Sequence, residues 1–488
     1  MLLILGGCAR PGLLRWPERP DDPSQAPAAK RDPSLDAAAA ESTGGALLVP
    51  APAGEPVAPG AWPLEECIRQ ALEANPTVRA ARFNVEALRQ RIPQVTALDD
   101  PVLSNTIFPI PSVAPQYSLM GYMPYGALLA QQFPWCGTLR LRGQAAEADV
   151  QVGLHELAAT ELDIVAGVKR GYHDLHFNER ALELLRQNRA LAVDFHRIAT
   201  ERYRLATASQ ADVLRAEVVV GDVDREIENT RRAESEARSE LVRLLHVDPT
   251  ASLRTVADLP VGDVPAAIDR LTELAVAARP ELRGRLAAIA RDQKAIELAA
   301  KRYYPSITLG VVYQDMEKTN ALTPQTAGGM PNVGLFVGMN LPVYHKKLAA
   351  GVCEAQARAA ADAQLYEAEK DQVQRDIRDA FALVRSQESV LRLLRRSNRP
   401  TARRILDLTA ADYRAGNAGT DYLSLVSAWR EVLQVELQIA QLESELGKSL
   451  AALERAVGTQ LNEHPPELKP VEPAPAASGS PFQRTERN

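Results

Sequence analysis

From Asn332 to Tyr344 the chain reads NVGLFVGMNLPVY, with Val333, Leu335, Val337, Met339 and Leu341 at every second position. Asn332, Gly334, Gly338 and Asn340 lie between them, and Phe336 is the one apolar residue on that second face. A period of two is that of a strand with one apolar side. Ser306–Gln314 alternates in the same way through Ile307, Leu309, Val311 and Tyr313, and Val102–Ile110 and Tyr125–Phe133 do so more weakly. Elsewhere the period is helical. Val165, Val168, Tyr172, Leu175 and Leu182 recur three and four apart, with Glu179 interrupting. Val432, Val435, Ile439, Leu442, Leu446, Ser449 and Leu453 hold that spacing, as do Ile377, Phe381, Val384 and Leu391 with Glu388 in the stripe. These are coiled-coil-like seams. No proline occurs from Trp135 to Asp248, a run of 114 residues. A helix from Leu139 to about Ala199 would be ~90 Å long at ~1.5 Å per residue. Pro400 predicts a kink or break in the matching helix of the second half.

The pattern occurs twice. ALEANP at 71–76 returns as AVAARP at 275–280, and Pro101 returns as Pro305, both shifted by 204. QFPW at 132–135 answers NLPV at 340–343, and ERYRLATASQADVL at 201–214 answers ADYRAGNAGTDYLSL at 411–425. Landmarks in one order, about 200 residues apart, indicate a duplicated domain rather than a solenoid of short repeats. The first repeat is placed at 62–262, with strands in 101–134 and a long helical hairpin in 138–248. The second is placed at 263–462, with strands in 305–342 and a hairpin in 347–458. Residues 9–61 and 463–488 are rich in Pro, Ala, Gly or charge without periodicity and read as a disordered tether and tail. The expected fold is mainly α with a small β part: long antiparallel helical hairpins and four strands per chain.

Composition sharpens this. Aromatics are only 5%, which suits long packed helices, and the formal net charge of −6 argues against a nucleic-acid partner. No run approaches 18 apolar residues, so a membrane crossing would have to use strands. Four amphipathic strands of about 9–12 residues have the right length. Four cannot close a barrel, because common membrane barrels start at ~8 strands and an open edge in lipid leaves backbone groups unsatisfied. The strands therefore close with those of other copies or form a small soluble sheet. Small or polar residues on the second face (Ser306, Thr308, Gly310, Gly334, Gly338, Asn340) suit a wet lumen, which twelve strands from three chains would enclose.

Little points to chemistry. His173 and His176 stand at i, i+3 on a helix with no third ligand placed by sequence, and read as solvated helix residues. Arg392, Arg395, Arg396, Arg399, Arg403 and Arg404 form a dense cluster that reads as a solvated face, with an acidic partner as the alternative. No phosphate loop or nucleophile triad is present, so neither an enzyme nor a cofactor is expected. Cys67, Cys136 and Cys353 lack metal spacing and cannot be paired from sequence. Cys8 follows Leu5-Gly6-Gly7, which resembles a bacterial lipobox and marks Cys8 as a candidate lipidation site, although a basic region and a longer apolar stretch are missing before it.

The duplicated plan resembles the TolC-like outer-membrane efflux protein family over roughly residues 62 to 460. The carrying motif is Tyr-x-x-Gly-x-x-Ser-x-x-Asp near each hairpin tip. It appears as Tyr203, Ala206, Ser209 and Asp212 in the first repeat, with alanine for glycine. In the second, Tyr413 and Gly416 match while Gly419 and Tyr422 stand for Ser and Asp. The turn Phe133, Pro134, Trp135, Gly137 is similar to the branch serving RND-type pumps. The resemblance implies a homotrimer in outer-membrane lipid, with a 12-stranded β-barrel and a helical tunnel in the periplasm. Its tips would dock a periplasmic adaptor and an inner-membrane pump. It also implies a periplasmic constriction, for which Asp421, Tyr422 and Leu425 are the nearest positions, and agrees with a lipid anchor at Cys8. The tip motif has a local meaning as well: Ser209 and Asp212 are placed to form a capping box, and Asn417 or Thr420 could cap the second return helix. The competing reading is a periplasmic coiled-coil scaffold with a small soluble sheet.

Overall fold

The computed structural model describes residues 61–107, 122–249, 251, 253–257, 259, 267–317, 331–415 and 422–460. The N-terminal segment with Cys8, most of the tether, the tail, Gly416, Asn417, Gly419, Thr420 and Asp421 lie outside the described residues. Each repeat opens with two helices in tandem. In the first these are α1 (Leu64–Ala74) and α2 (Pro76–Thr96), and in the second α5 (Ile268–Ala278) and α6 (Pro280–Lys301). Proline starts both second helices, where its missing N–H costs nothing. Asn75, between α1 and α2, accepts a hydrogen bond from Thr77 N at 2.8 Å and donates to the Leu244 carbonyl at 2.9 Å. Arg279, its counterpart 204 residues on, donates to the Ala456 carbonyl at 3.3 Å. One junction thus ties each helix pair to the end of its own hairpin, by different side chains.

The strands follow as β1 (Val102–Ile107), β2 (Tyr122–Phe133), β3 (Ile307–Glu317) and β4 (Asn332–Met339). They form one antiparallel sheet in the order β1-β2-β3-β4, so the two repeats meet along β2 and β3. The expected strand segment runs to about 342, but the ladder ends at Met339. Asn340 turns its side chain to Ser306, accepting from the Ser306 hydroxyl at 2.8 Å, and Pro342 has no N–H to continue. β1 is described only to Ile107 of the expected Val102–Ile110.

The hairpins are α3 (Thr138–Arg204) with α4 (Gln210–Leu245), and α7 (His345–Leu393) through α8 (Arg399–Ala415) with α9 (Tyr422–Val457). The 67 residues of α3 make a helix of about 100 Å. At Pro400 the helix neither breaks nor stops. Leu394–Asn398 forms one π turn between α7 and α8, and Arg399 N–H reaches the Leu394 carbonyl, five residues back. The wider turn makes room for a ring that would strike the carbonyl four residues earlier.

The seams are buried as the spacing predicts: Val168, Tyr172, Leu175 and Leu182 in α3, Ile377, Val384 and Leu391 in α7, and Val435, Ile439, Leu446 and Leu453 in α9. Their polar interruptions have partners. Glu179 accepts from Thr255 N at 3.1 Å and its hydroxyl at 2.6 Å, and Ser449 donates to Gln387 at 2.5 Å. Cross-repeat ion pairs lock α9 to α3, with Lys448 2.7 Å from Asp174, Arg455 2.5 Å from Asp163, and Lys169 paired with Glu454.

Candidate functional site

The sheet is the first functional element. Its register places Leu103, Leu129, Val311 and Leu335 in one row, with Asn105, Ala127, Tyr313 and Val333 beside it and Gln131, Leu309 and Val337 on the other flank. These rows share one face, because paired residues in an antiparallel ladder point the same way. The face is mainly apolar, interrupted by Asn105, Gln131 and Asp315, and it is open, with Leu335 87% exposed. The opposite face brings Gln132, Thr308 and Gly338 into line, and Gly126, Gln314 and Asn332 likewise. Phe336, the apolar intruder, lies over Gly338, where an added Cβ would stand 3.0 Å from its ring. Gly310 is needed for another reason: a Cβ there would meet the Leu129 carbonyl oxygen at 2.7 Å. Among the described residues β1 and β4 each keep one unpaired edge.

The second element is the pair of hairpin tips. At the first, α3 ends in a turn with Ala206 in the left-handed region at φ 55°. Ala206 N–H bonds the Tyr203 carbonyl at 2.9 Å and Thr207 N–H the Arg202 carbonyl at 2.9 Å, the pair of bonds of a Schellman ending. The return helix opens with the expected capping box: Asp212 N–H donates to Ser209 Oγ and Ser209 N–H to Asp212 Oδ2, both at 3.2 Å.

The helix ends flanking the second tip, at Tyr413 and Tyr422, pack against the first hairpin. Arg202 donates to the Tyr413 carbonyl at 2.7 Å and its guanidinium lies 4.4 Å from the Tyr413 ring centroid. Tyr413 meets Tyr422 edge-on at 6.2 Å. Both tyrosines sink into a core with Phe195, Ala216, Leu425 and Trp429, formed by both hairpins. Desolvation pushes the Tyr422 phenol up to about 12.

This burial separates the matching tyrosines: Tyr203 is 46% exposed and Tyr413 only 3%. Tyr413 therefore offers no side-chain surface for docking, whereas Tyr203, Ala206 and Ser209 do. It also revises the expected constriction. Tyr422 is 2% and Leu425 1% exposed within a single chain, so neither lines a passage in this conformation; they pack the hairpins together. The sequence reading missed Arg202, a helix arginine among many, because only the tertiary fold brings it over Tyr413.

Two further expectations change. His173 and His176 are not solvated. His173 is buried against Gly447, where a Cβ would lie 2.2 Å from the imidazole, and His176 Nδ1 is 3.1 Å from Thr255 Oγ1. Burial, helped by His176, Lys169 and Lys448, lowers the His173 pKa to about 4. No cluster of three metal-type ligands occurs among the described residues. The arginine cluster is partly spent on α9: Arg395 reaches Glu443 at 2.6 Å, and Arg399 and Arg403 converge on Glu436, with Arg399 at 3.0 Å and Arg403 at 2.5 Å. Cys67, Cys136 and Cys353 are all free thiols, and Cys67 is buried with its pKa pushed up to about 12.

The arrangement is a four-stranded sheet with an apolar side, unpaired at both edges among the described residues and carried on two long helical hairpins. Residues 271–459, nearly all of the second repeat, match the family model described as Outer membrane efflux protein, the family whose resemblance the tip motifs carry. No curated relative matches the chain in sequence. Among solved structures, the outer-membrane channel OprN aligns at 20% identity and TM-score 0.66, covering 81% of this chain and 89% of its own. The outer membrane protein VceC from Vibrio cholerae aligns at 16% and 0.67, covering 81% and 96%. The open state of the Neisseria gonorrhoeae MtrE outer membrane channel aligns at 19% and 0.63, covering 82% and 89%. At these identities the likeness is one of fold.

Proposed function

We propose that this chain is the outer-membrane exit duct of a tripartite efflux system, a passive conduit with no catalytic step. The observation that carries the proposal is the four-stranded sheet with one mainly apolar, exposed face and, among the described residues, two unpaired edges. Exposed ladder groups are expensive in lipid, so the edges must find partners. Three copies supply twelve strands, enough to leave a passage. The homotrimer places the apolar face against outer-membrane lipid and the hairpins in the periplasm. The family match over the second repeat supports the same reading.

On this reading the tips dock a periplasmic adaptor that links the duct to an inner-membrane pump, of the RND type by the Phe133-Pro134-Trp135 turn. The docking surface is Tyr203, Ala206, Ser209 and Asp212, with Gly416 and Gly419 of the second tip, and Tyr413 serving beneath it. Asp421 is the remaining acidic candidate for a periplasmic constriction, and Cys8 for a lipid anchor.

The test is to express the chain with a complete lipoprotein signal, extract it from outer membranes in detergent, and measure protein mass and single-channel conductance. Three copies of the 53.1 kDa chain with a stable conductance are expected. A monomer that stays in detergent-free buffer would overturn the duct and leave the coiled-coil scaffold.

A further inference from the structure

The end of the sheet that joins the helices gathers basic and aromatic residues. The register puts the starts of β1 and β3 and the ends of β2 and β4 at that one end. Three of the four segments leaving it carry Arg140 and Arg142, Lys301 and Arg302, and Lys346 and Lys347 between the sheet and their first carboxylates, Glu147, Glu297 and Glu354. The fourth carries Asp99 and Asp100. This cationic excess stands in a chain whose net charge is −6. None of the six has an ion-pair partner among the described residues. Arginines further along the helices mostly do, as Arg189 with Asp224 at 2.5 Å and Arg430 with Asp222 at 3.3 Å.

Rings sit among these cations. Trp135 of the first repeat stacks on Tyr304 of the second at 5.1 Å, and Lys301 Nζ lies 5.4 Å from the Tyr304 centroid. Tyr303 stacks on His345 at 6.5 Å. Beside them Leu341, Val343 and Tyr344 are exposed. Amphipathic rings just past an apolar strand face mark the depth where hydrocarbon gives way to headgroups. Rings alone would suit any bilayer. Cations left without protein carboxylates at that depth call for anions supplied by the membrane.

We propose that this aromatic and basic collar binds the phosphate headgroups of anionic phospholipids, such as phosphatidylglycerol, in the leaflet nearest the helices. The inference rests on the duct reading, since it needs the sheet to lie in a bilayer. The lipid's acyl chains lie along the apolar face that continues through Leu341 and Val343, and its phosphate meets the lysines and arginines below. The collar thereby sets how deep the barrel sits.

The experiment is native mass spectrometry of the full chain in neutral detergent, titrated with phosphatidylglycerol or phosphatidylcholine at equal mole fraction. The protein should retain phosphatidylglycerol at least about fivefold better, the factor that ~1 kcal/mol from a single cation near an anionic headgroup would give. The variant K301Q/R302Q/K346Q/K347Q should lose that preference while keeping its helical circular dichroism. A control, R392Q/R395Q/R396Q/R404Q, removes the same charge from the helices and should keep the preference. Equal retention of the two lipids, an unchanged junction variant, or a control that falls as far would each overturn the collar. Competition by free glycerol phosphate at the concentration of the lipid would reassign the site to a soluble anion. A chain that is monomeric in detergent-free buffer and retains neither lipid would overturn the duct reading together with the collar, whereas a trimer without preference removes the collar alone.

Discussion

Ala206 occupies a position where the backbone turns left-handed, at φ 55°. An L-residue with a Cβ pays about 1 kcal/mol for that conformation, and glycine does not. The motif's usual glycine is thus understood from the Schellman ending alone, and alanine here leaves the tip slightly strained. Ala206→Gly is expected to stabilise the tip by about 1 kcal/mol, read as slower hydrogen exchange at Thr207 and Ala206. Ala206→Trp places bulk on the exposed turn: it should reduce export without reducing the trimer recovered in detergent. Normal export by that variant would remove adaptor docking from this tip. Arg202 and Tyr413 show the limit of such motif reading. Spacing makes Tyr203 and Tyr413 equivalent, yet one is exposed and the other buried under a guanidinium supplied by the first hairpin.

At the scale of elements, the crossing of α3 with α9 depends on a close approach. Gly447 leaves room for the His173 ring, and Ser444 donates to the His173 carbonyl at 2.9 Å. The imidazole is held neutral, its pKa lowered to about 4 by burial and by the cations of Lys169 and Lys448. The unfolded chain binds a proton near the ordinary 6.5, so between about 6.5 and 4 it binds more protons than the folded one. His173 therefore contributes stability in full above pH 6.5 and loses it as pH falls towards 4, on the order of 3 kcal/mol. The thermal midpoint should drop across that window, and less steeply in His173→Gln. Parallel curves would show that other groups govern the acid response. The same scale explains Pro400. Sequence spacing predicts an interruption there, but only the surrounding helix decides that it takes the form of one π turn with the hairpin continuing through it.

At the scale of the whole molecule, the proposed duct rests on the sheet. The row Leu103, Leu129, Val311 and Leu335 is apolar from β1 to β4, and among the described residues both edges are unpaired. Leu335→Arg puts a charge in the middle of that face, where a barrel in lipid would lose roughly 2–4 kcal/mol. It should lower the trimer recovered from outer membranes several-fold. Gly334→Asn, one residue along and on the opposite face with open space around it, should leave recovery unchanged. Equal recovery of both variants would mean that the face does not meet lipid.

Periodicity by itself determined a great deal. The four strands, both long hairpins, the duplication and the buried seams all follow from apolar residues spaced by two or by three and four, because burial of one face is a local property of an element. The capping box at Ser209 and Asp212 is equally local. The tertiary structure decided what depends on partners distant in sequence. It set the end of β4 at Met339, where Asn340 turns its side chain to Ser306, just before β3. It buried His173, which the helical spacing alone reads as solvated. It withdrew Tyr413, Tyr422 and Leu425 into a core between the hairpins, where their burial rests on Arg202 and on residues of both repeats. It gathered the junction cations and rings at one end of the sheet, because register, which no single strand specifies, brings four chain segments to the same level.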